Sequence, residues 1–146
     1  VKQYAQSQLM TNSLKSLFSG EKKMTEQELD LYWETASRGI CSGKLEDREK
    51  YCRLLDYMYA TLPDKNDHKL ALPAVWMGYA PMVFKTFGEQ INPANMAGLI
   101  AIWADIEPIN QVRSHPDFIQ FAERIGLVKV WQKYGWPDLL PEPSSG

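Results

Sequence analysis

A chain of 146 residues, 45% hydrophobic, with a formal net charge of -2, is long enough for a core and too evenly charged for a general polyanion binder. Cys41 and Cys52 are its only cysteines. Without a CxxC pair or a second pair at zinc spacing, they read as reduced, partly buried thiols, and no disulfide framework or metal site is assigned.

Lys2–Phe18 reads as an amphipathic helix in which Tyr4, Leu9, Met10, Leu14, Leu17 and Phe18 form a loose apolar stripe. Ser19–Gly20 ends it, and Glu21, Lys22 and Lys23 form a solvated linker. Thr25 and Glu28 then stand at capping-box spacing, with Met24 placed to staple Leu29. The helix they start carries Leu29, Tyr32, Trp33 and Ala36 and is expected to stop near Gly39. Glu26, Glu28, Asp30 and Glu34 read as a solvated acidic face, since no neighbouring His supports a metal site.

Residues 44–62 predict a helix with Leu45, Cys52, Leu55, Met58, Tyr59 and Leu62 at helical spacing. Its charged residues, Glu46 to Lys50 and Arg53, can pair three and four apart. Tyr51, Tyr57 and Tyr59 are open to two readings, core packing with hydroxyls at the surface or an aromatic patch facing a partner. PDKNDHK, residues 63–69, is a polar loop that lacks the calcium-loop pattern and its glycine.

Leu70–Phe84 contains no charge but is too short and too proline-interrupted for a membrane span, which needs about 20 apolar residues. A buried central helix is expected from Pro73 to about Phe87, kinked or broken into two pieces by Pro81 and ended by Gly88. Met77 and Met82 could line an adaptable pocket there. Asn92 as cap and Pro93 in the first turn start a helix to about Ala104, whose Ala94, Ala97, Gly98 and Ala101 offer a close-packing face. Asp105–Val112 contains Pro108 and reads as a bend with a helical turn.

The segment Ser114–Asp138, SHPDFIQFAERIGLVKVWQKYGWPD, is the most informative. Pro116 suits a first helical position, with Ser114 or His115 at the cap. Phe118, Phe121, Ala122 and Ile125 make one stripe, and Gly126 is placed for a left-handed joint. Leu127, Val130, Trp131 and Tyr134 repeat the stripe before Gly135 and Pro137 end it. A single helix running through Gly126 is the alternative, at a cost of about 1 kcal/mol.

Together with Ile102–Trp103, this pattern resembles the C-terminal end of bacterial tetratricopeptide-type helical-repeat proteins. The matching positions are Pro116, Phe118, Gly126, Leu127, Trp131, Gly135, Trp136, Pro137 and Asp138. The usual Tyr-Trp is Val130–Trp131 here, and the upstream residues carry no repeat consensus. The resemblance implies a helical fold and a role in a bacterial regulatory or scaffold system.

No GxGxxG, P-loop, GxSxG, HExxH or kinase set occurs, so no catalytic residue or cofactor is assigned. His68 and His115 are the only imidazoles, and neither has a supporting motif beside a cysteine nucleophile. The expected fold is all-α, an irregular bundle or repeat-like right-handed array of six or seven helices, with 1–140 as one helical domain and 141–146 as a disordered tail. The polar N-terminal stretch lacks the apolar run of a secretory leader, which points to a soluble cytoplasmic protein. A chain beginning at Val1 rather than Met is compatible with a fragment of a longer protein.

The leading functional expectation is a non-enzymatic helical interaction domain with a protein partner, anchored by Tyr57, Trp76, Tyr134 and Trp136. The second is a small-molecule-binding or enzymatic domain with an apolar pocket from Trp76, Met77, Met82, Phe84 and Trp103. Nucleic-acid binding is third, from Arg113, Arg124, Lys129 and Lys133 near Trp131 and Tyr134.

Overall fold

A computed structural model describes residues 25–61, 68–88, 91 and 96–141, and among these every regular element is helical. There are eight α-helices among the described residues, in keeping with the expected all-α bundle or array. The expected helix at Lys2–Phe18, the polar segment from Leu62 to Asp67, the Asn92–Pro93 start and residues 142–146 lie outside them. The chain divides into two compact units, Val1–Lys65 and Asn66–Gly146.

In the first unit, α1 (Glu26–Cys41) and α2 (Leu45–Thr61) pack against each other. Thr25 precedes α1, and its carbonyl accepts the Leu29 N–H at 3.0 Å. Gly39 does not stop α1 as expected. It lies at the contact with α2, where a Cβ atom would stand 2.6 Å from that of Tyr51. The turn comes at Ser42–Gly43 instead, with Gly43 left-handed at φ 69° and the Ser42 hydroxyl accepting the Lys44 N–H. The expected pairing along α2 includes Glu46 with Lys50, and α1 adds a pair that was not expected, Glu34 with Arg38, also four residues apart.

Among the described residues of this unit, Ala36, Tyr51, Leu54, Leu55 and Met58 are the buried apolar ones. Burial, with Tyr32 beside it, holds the Tyr51 phenol well above its usual range. Burial also pushes the Cys52 thiol up to about 11, with Asp56 adding and Arg48 opposing. Both are acids kept neutral by the fold. Their contribution is therefore complete below the unfolded values, about 8.5 for a thiol and 10 for a phenol, and is lost as pH climbs through the folded ones. The urea midpoint should fall between about pH 8.5 and 11, with Cys52→Ser blunting the early part of the fall. A midpoint unchanged across that window would contradict this assignment.

In the second unit the uncharged stretch is two helices, α3 (His68–Trp76) and α4 (Ala80–Thr86), the broken form of the two expected at Pro81. The proline ring has no N–H to donate and would crowd the Met77 carbonyl in a continuous helix. The chain breaks one turn earlier, at left-handed Gly78, and Pro81 falls in the first turn of α4, where no hydrogen bond is lost. Pro73, expected at a helix start, lies within α3. Gly88 is left-handed after the end of α4, as expected. Leu70, Ala71, Ala74 and Val75 are fully buried, and α3 packs on α4, on α5 (Met96–Ala101) and on α6 (Glu107–Arg113). The expected central position of this stretch therefore belongs to α3. Of the small-residue face, Gly98 is buried, and a Cβ atom there would lie 3.3 Å from Ala71 and from the Phe87 ring.

Residues 105–112 form more than a bend. Pro108 sits in the first turn of α6, and Ile109 and Val112 are fully buried. Arg113 ends α6 with its side chain inward, donating to the Ile102 and Ala104 carbonyls and to Asn110 Oδ1. Asn110 in turn donates to Asp105 at 3.1 Å. Those carbonyls follow the end of α5, so the guanidinium satisfies acceptors of the turn that leaves the helix. Desolvation lowers the Arg113 pKa, and Asp105 opposes the shift. Arg113→Met should cost about 2–3 kcal/mol in urea unfolding because charge-assisted bonds to buried carbonyls are lost. A cost below about 0.5 kcal/mol would show that these bonds are not structural.

Candidate functional site

The segment from α6 onward builds the most distinctive surface. After α6, the His115 imidazole Nδ1 accepts the Asp117 N–H at 3.2 Å, and the His115 carbonyl accepts the Phe118 N–H at 2.9 Å. This turn leads into α7 (Phe118–Arg124), which begins two residues beyond Pro116. Gly126, at φ 88°, separates α7 from α8 (Leu127–Tyr134), so the two-helix reading holds over the single helix. Gly135, at φ 115°, turns the chain away after α8.

These elements assemble a continuous aromatic cluster. Phe121 stacks on Phe84 with centroids 4.8 Å apart and meets Phe87 edge-on at 5.5 Å. Phe84 also receives the edge of His115 at 5.3 Å. Phe118 links this group to Trp103, which meets Trp131 at 5.8 Å, and Trp131 meets Trp136 at 5.1 Å. The Trp136 indole N–H donates to the Pro141 carbonyl at 3.1 Å, and Leu140 is buried, so the chain is packed up to the start of the expected tail. Each such ring pair adds about 0.5–1.5 kcal/mol beyond the area it buries. Arg124 closes the Phe84 end, donating to the Phe84 carbonyl at 2.6 Å with its guanidinium 5.9 Å from the centre of the Phe121 ring.

The stripe read along α8 is split. Trp131 is buried, whereas Val130 and Tyr134, four residues apart, are 49% and 75% exposed. Lys133 Nζ lies 5.0 Å from the centre of the Tyr134 ring, and Leu139 is exposed farther along.

The expected anchors are therefore of three kinds. Tyr134 is exposed. Trp76 is partly exposed at the end of α3, and Trp136 is half-buried on Trp131. Tyr57 is half-buried in the first unit, and burial raises its phenol. Of the expected pocket residues, Met77 and Met82 are core, 2% and 1% exposed. Phe84 and Trp103 are partly buried and meet through Phe118, and Trp76 forms none of the ring contacts of this cluster. Val130, Ile100 and Trp33 are exposed apolar residues that periodicity had assigned to packing faces.

Among the described residues, no group of three or more His, Cys, Asp or Glu could hold a metal ion. Cys41 is exposed and Cys52 half-buried, and neither forms a disulfide. No helix among the described residues is long and apolar enough to cross a membrane. No protein-family model matches the chain, and no curated protein or solved structure matches it.

Proposed function

We propose that this chain is a non-enzymatic helical protein-interaction domain whose partner surface is the outer side of α8. The observation that carries the reading is the pairing of exposed Val130 and Tyr134 on one side of a helix whose Trp131 is fixed in the aromatic cluster. A rigid helix presenting apolar residues at four-residue spacing is the form in which helices meet grooves and other helices. Tyr134 offers a large apolar ring with a polar tip, a residue type enriched where proteins meet. The bacterial regulatory or scaffold setting rests on the tetratricopeptide-like ending. Oligomeric state is a separate question from partner binding.

The test is affinity capture by the wild-type chain and by four alanine variants, at Tyr57, Trp76, Tyr134 and Trp136. Tyr134→Ala should lose a retained protein partner without loss of thermal stability. Trp136→Ala should weaken both, since its ring also packs on Trp131. If all four variants retain the same proteins as wild type, the assignment fails.

A further inference from the structure

The outer side of α8 carries more than Val130 and Tyr134. Lys129 and Lys133 are also exposed, and they too stand four residues apart. At about 3.6 residues per turn, the order around the helix is Lys129, Lys133, Val130, Tyr134, Leu127 and then Trp131. The apolar row therefore lies between buried Trp131 on one side and a row of lysines on the other. The two rows touch, because Lys133 Nζ lies 5.0 Å from the centre of the Tyr134 ring. Positions 124–134 contain Arg124, Lys129 and Lys133 and no acid, in a chain whose formal net charge is -2. Among the described residues, no carboxylate forms an ion pair with either lysine.

We propose that this surface takes an acidic protein partner. The partner's apolar side chains cover Val130 and Tyr134, and its Asp or Glu side chains meet Lys129 and Lys133 along one edge. The inference rests on the interaction reading of α8 and adds the chemistry of the partner. A basic partner would bring its cations against the lysine row, and like charges brought together across an interface cost affinity. The edge toward Trp131 is closed by the aromatic cluster, so the partner's carboxylates fall on the opposite edge. A partner helix is thereby turned one way only, with acids at three- and four-residue spacing beside its apolar row. Nucleic acid fits the surface less well. It would leave Val130 without an apolar contact, and three cations are few for a phosphate backbone, where affinity grows with each phosphate neutralised.

The experiment captures the partner on the full chain, identifies it by mass spectrometry, and treats the complex with a zero-length carbodiimide. That reagent joins a lysine amine to a carboxylate only where the two are in direct contact. Links from Lys129 and Lys133 to Asp or Glu residues of the identified partner are expected. Lys129→Glu with Lys133→Glu should weaken its binding at least about tenfold at low salt and flatten the salt dependence. Lys129→Arg with Lys133→Arg should preserve both. Lys44→Glu with Arg53→Glu, at exposed positions of the first unit, makes the same change in net charge and should leave binding as it was. A partner lost on Val130→Glu with Tyr134→Glu, yet indifferent to reversal of the two lysines, would overturn this proposal and leave the interaction reading standing. Equal weakening by the first-unit control would do the same. An empty capture, or one unchanged by the Val130→Glu, Tyr134→Glu pair, would remove the interaction reading and this proposal with it. Retention abolished by nuclease would assign the surface to nucleic acid and overturn both.

Discussion

Gly78→Ala is expected to cost the second unit about 3 kcal/mol or more, as a left-handed penalty of 1–2 kcal/mol adds to overpacking of similar size. Gly78 has φ 66°, and a Cβ atom there would stand 2.4 Å from the Pro108 carbonyl oxygen, with Gln111 Oε1 at 3.1 Å. The first obstacle is backbone, fixed in the first turn of α6, so relief requires α6 to move from its contacts with α3 and α4. Gly126 provides the control. Its φ is 88°, but nothing lies within 4 Å of a Cβ atom there. Gly126→Ala should therefore cost only the conformational part, about 1–2 kcal/mol. Urea unfolding of both variants separates the two effects, and equal losses would show that the approach to Pro108 adds nothing.

Phe121→Ala should have the largest effect of any single side-chain truncation, about 3–5 kcal/mol, the range for removing a buried phenylalanine. Its ring touches Phe84, Phe87 and Phe118 at once, and it is 2% exposed. The void would open among α4, α7 and the turn after α4, where Phe84 is also held through its carbonyl by Arg124. Phe121→Leu should recover part of the loss, because volume returns without the ring stacking. A Phe121→Ala variant within about 1 kcal/mol of wild type would mean that the cluster is not a core.

Much of the fold is legible in the sequence where a local rule decides the outcome. Gly126 marks a left-handed joint, Gly88 follows a helix end, and Glu46 and Lys50 pair at four-residue spacing. The errors come where tertiary contact overrides the local signal. Gly39 looks like a stop, but its missing side chain serves the approach of Tyr51. Pro81 signals the break into two helices, but the break falls one turn earlier, at Gly78, so that the proline begins a helix. Pro108 looks like a bend, yet it starts α6, whose Arg113 is held by carbonyls about ten positions earlier in the chain.

The surface was less legible than the core. Val130, Trp131 and Tyr134 lie within one helical arc, and periodicity gives all three the same face. Only the positions of Trp103 and Trp136 decide that Trp131 turns inward while the other two remain exposed. Trp33 was hidden for the same reason, since an apolar stripe does not say how much of itself a neighbour covers. Met77 and Met82 suggested a pocket by residue type, and their burial places both in the core.

The most direct measurement is capture by a Val130→Glu, Tyr134→Glu double variant beside wild type, with nuclease-treated extract and thermal melts of both chains. Both residues are exposed, so the melting temperature should not change. The expected result is a protein retained in stoichiometric amount by wild type and lost by the variant. Equal retention by both chains, or retention by wild type only when nucleic acid is left intact, would contradict it.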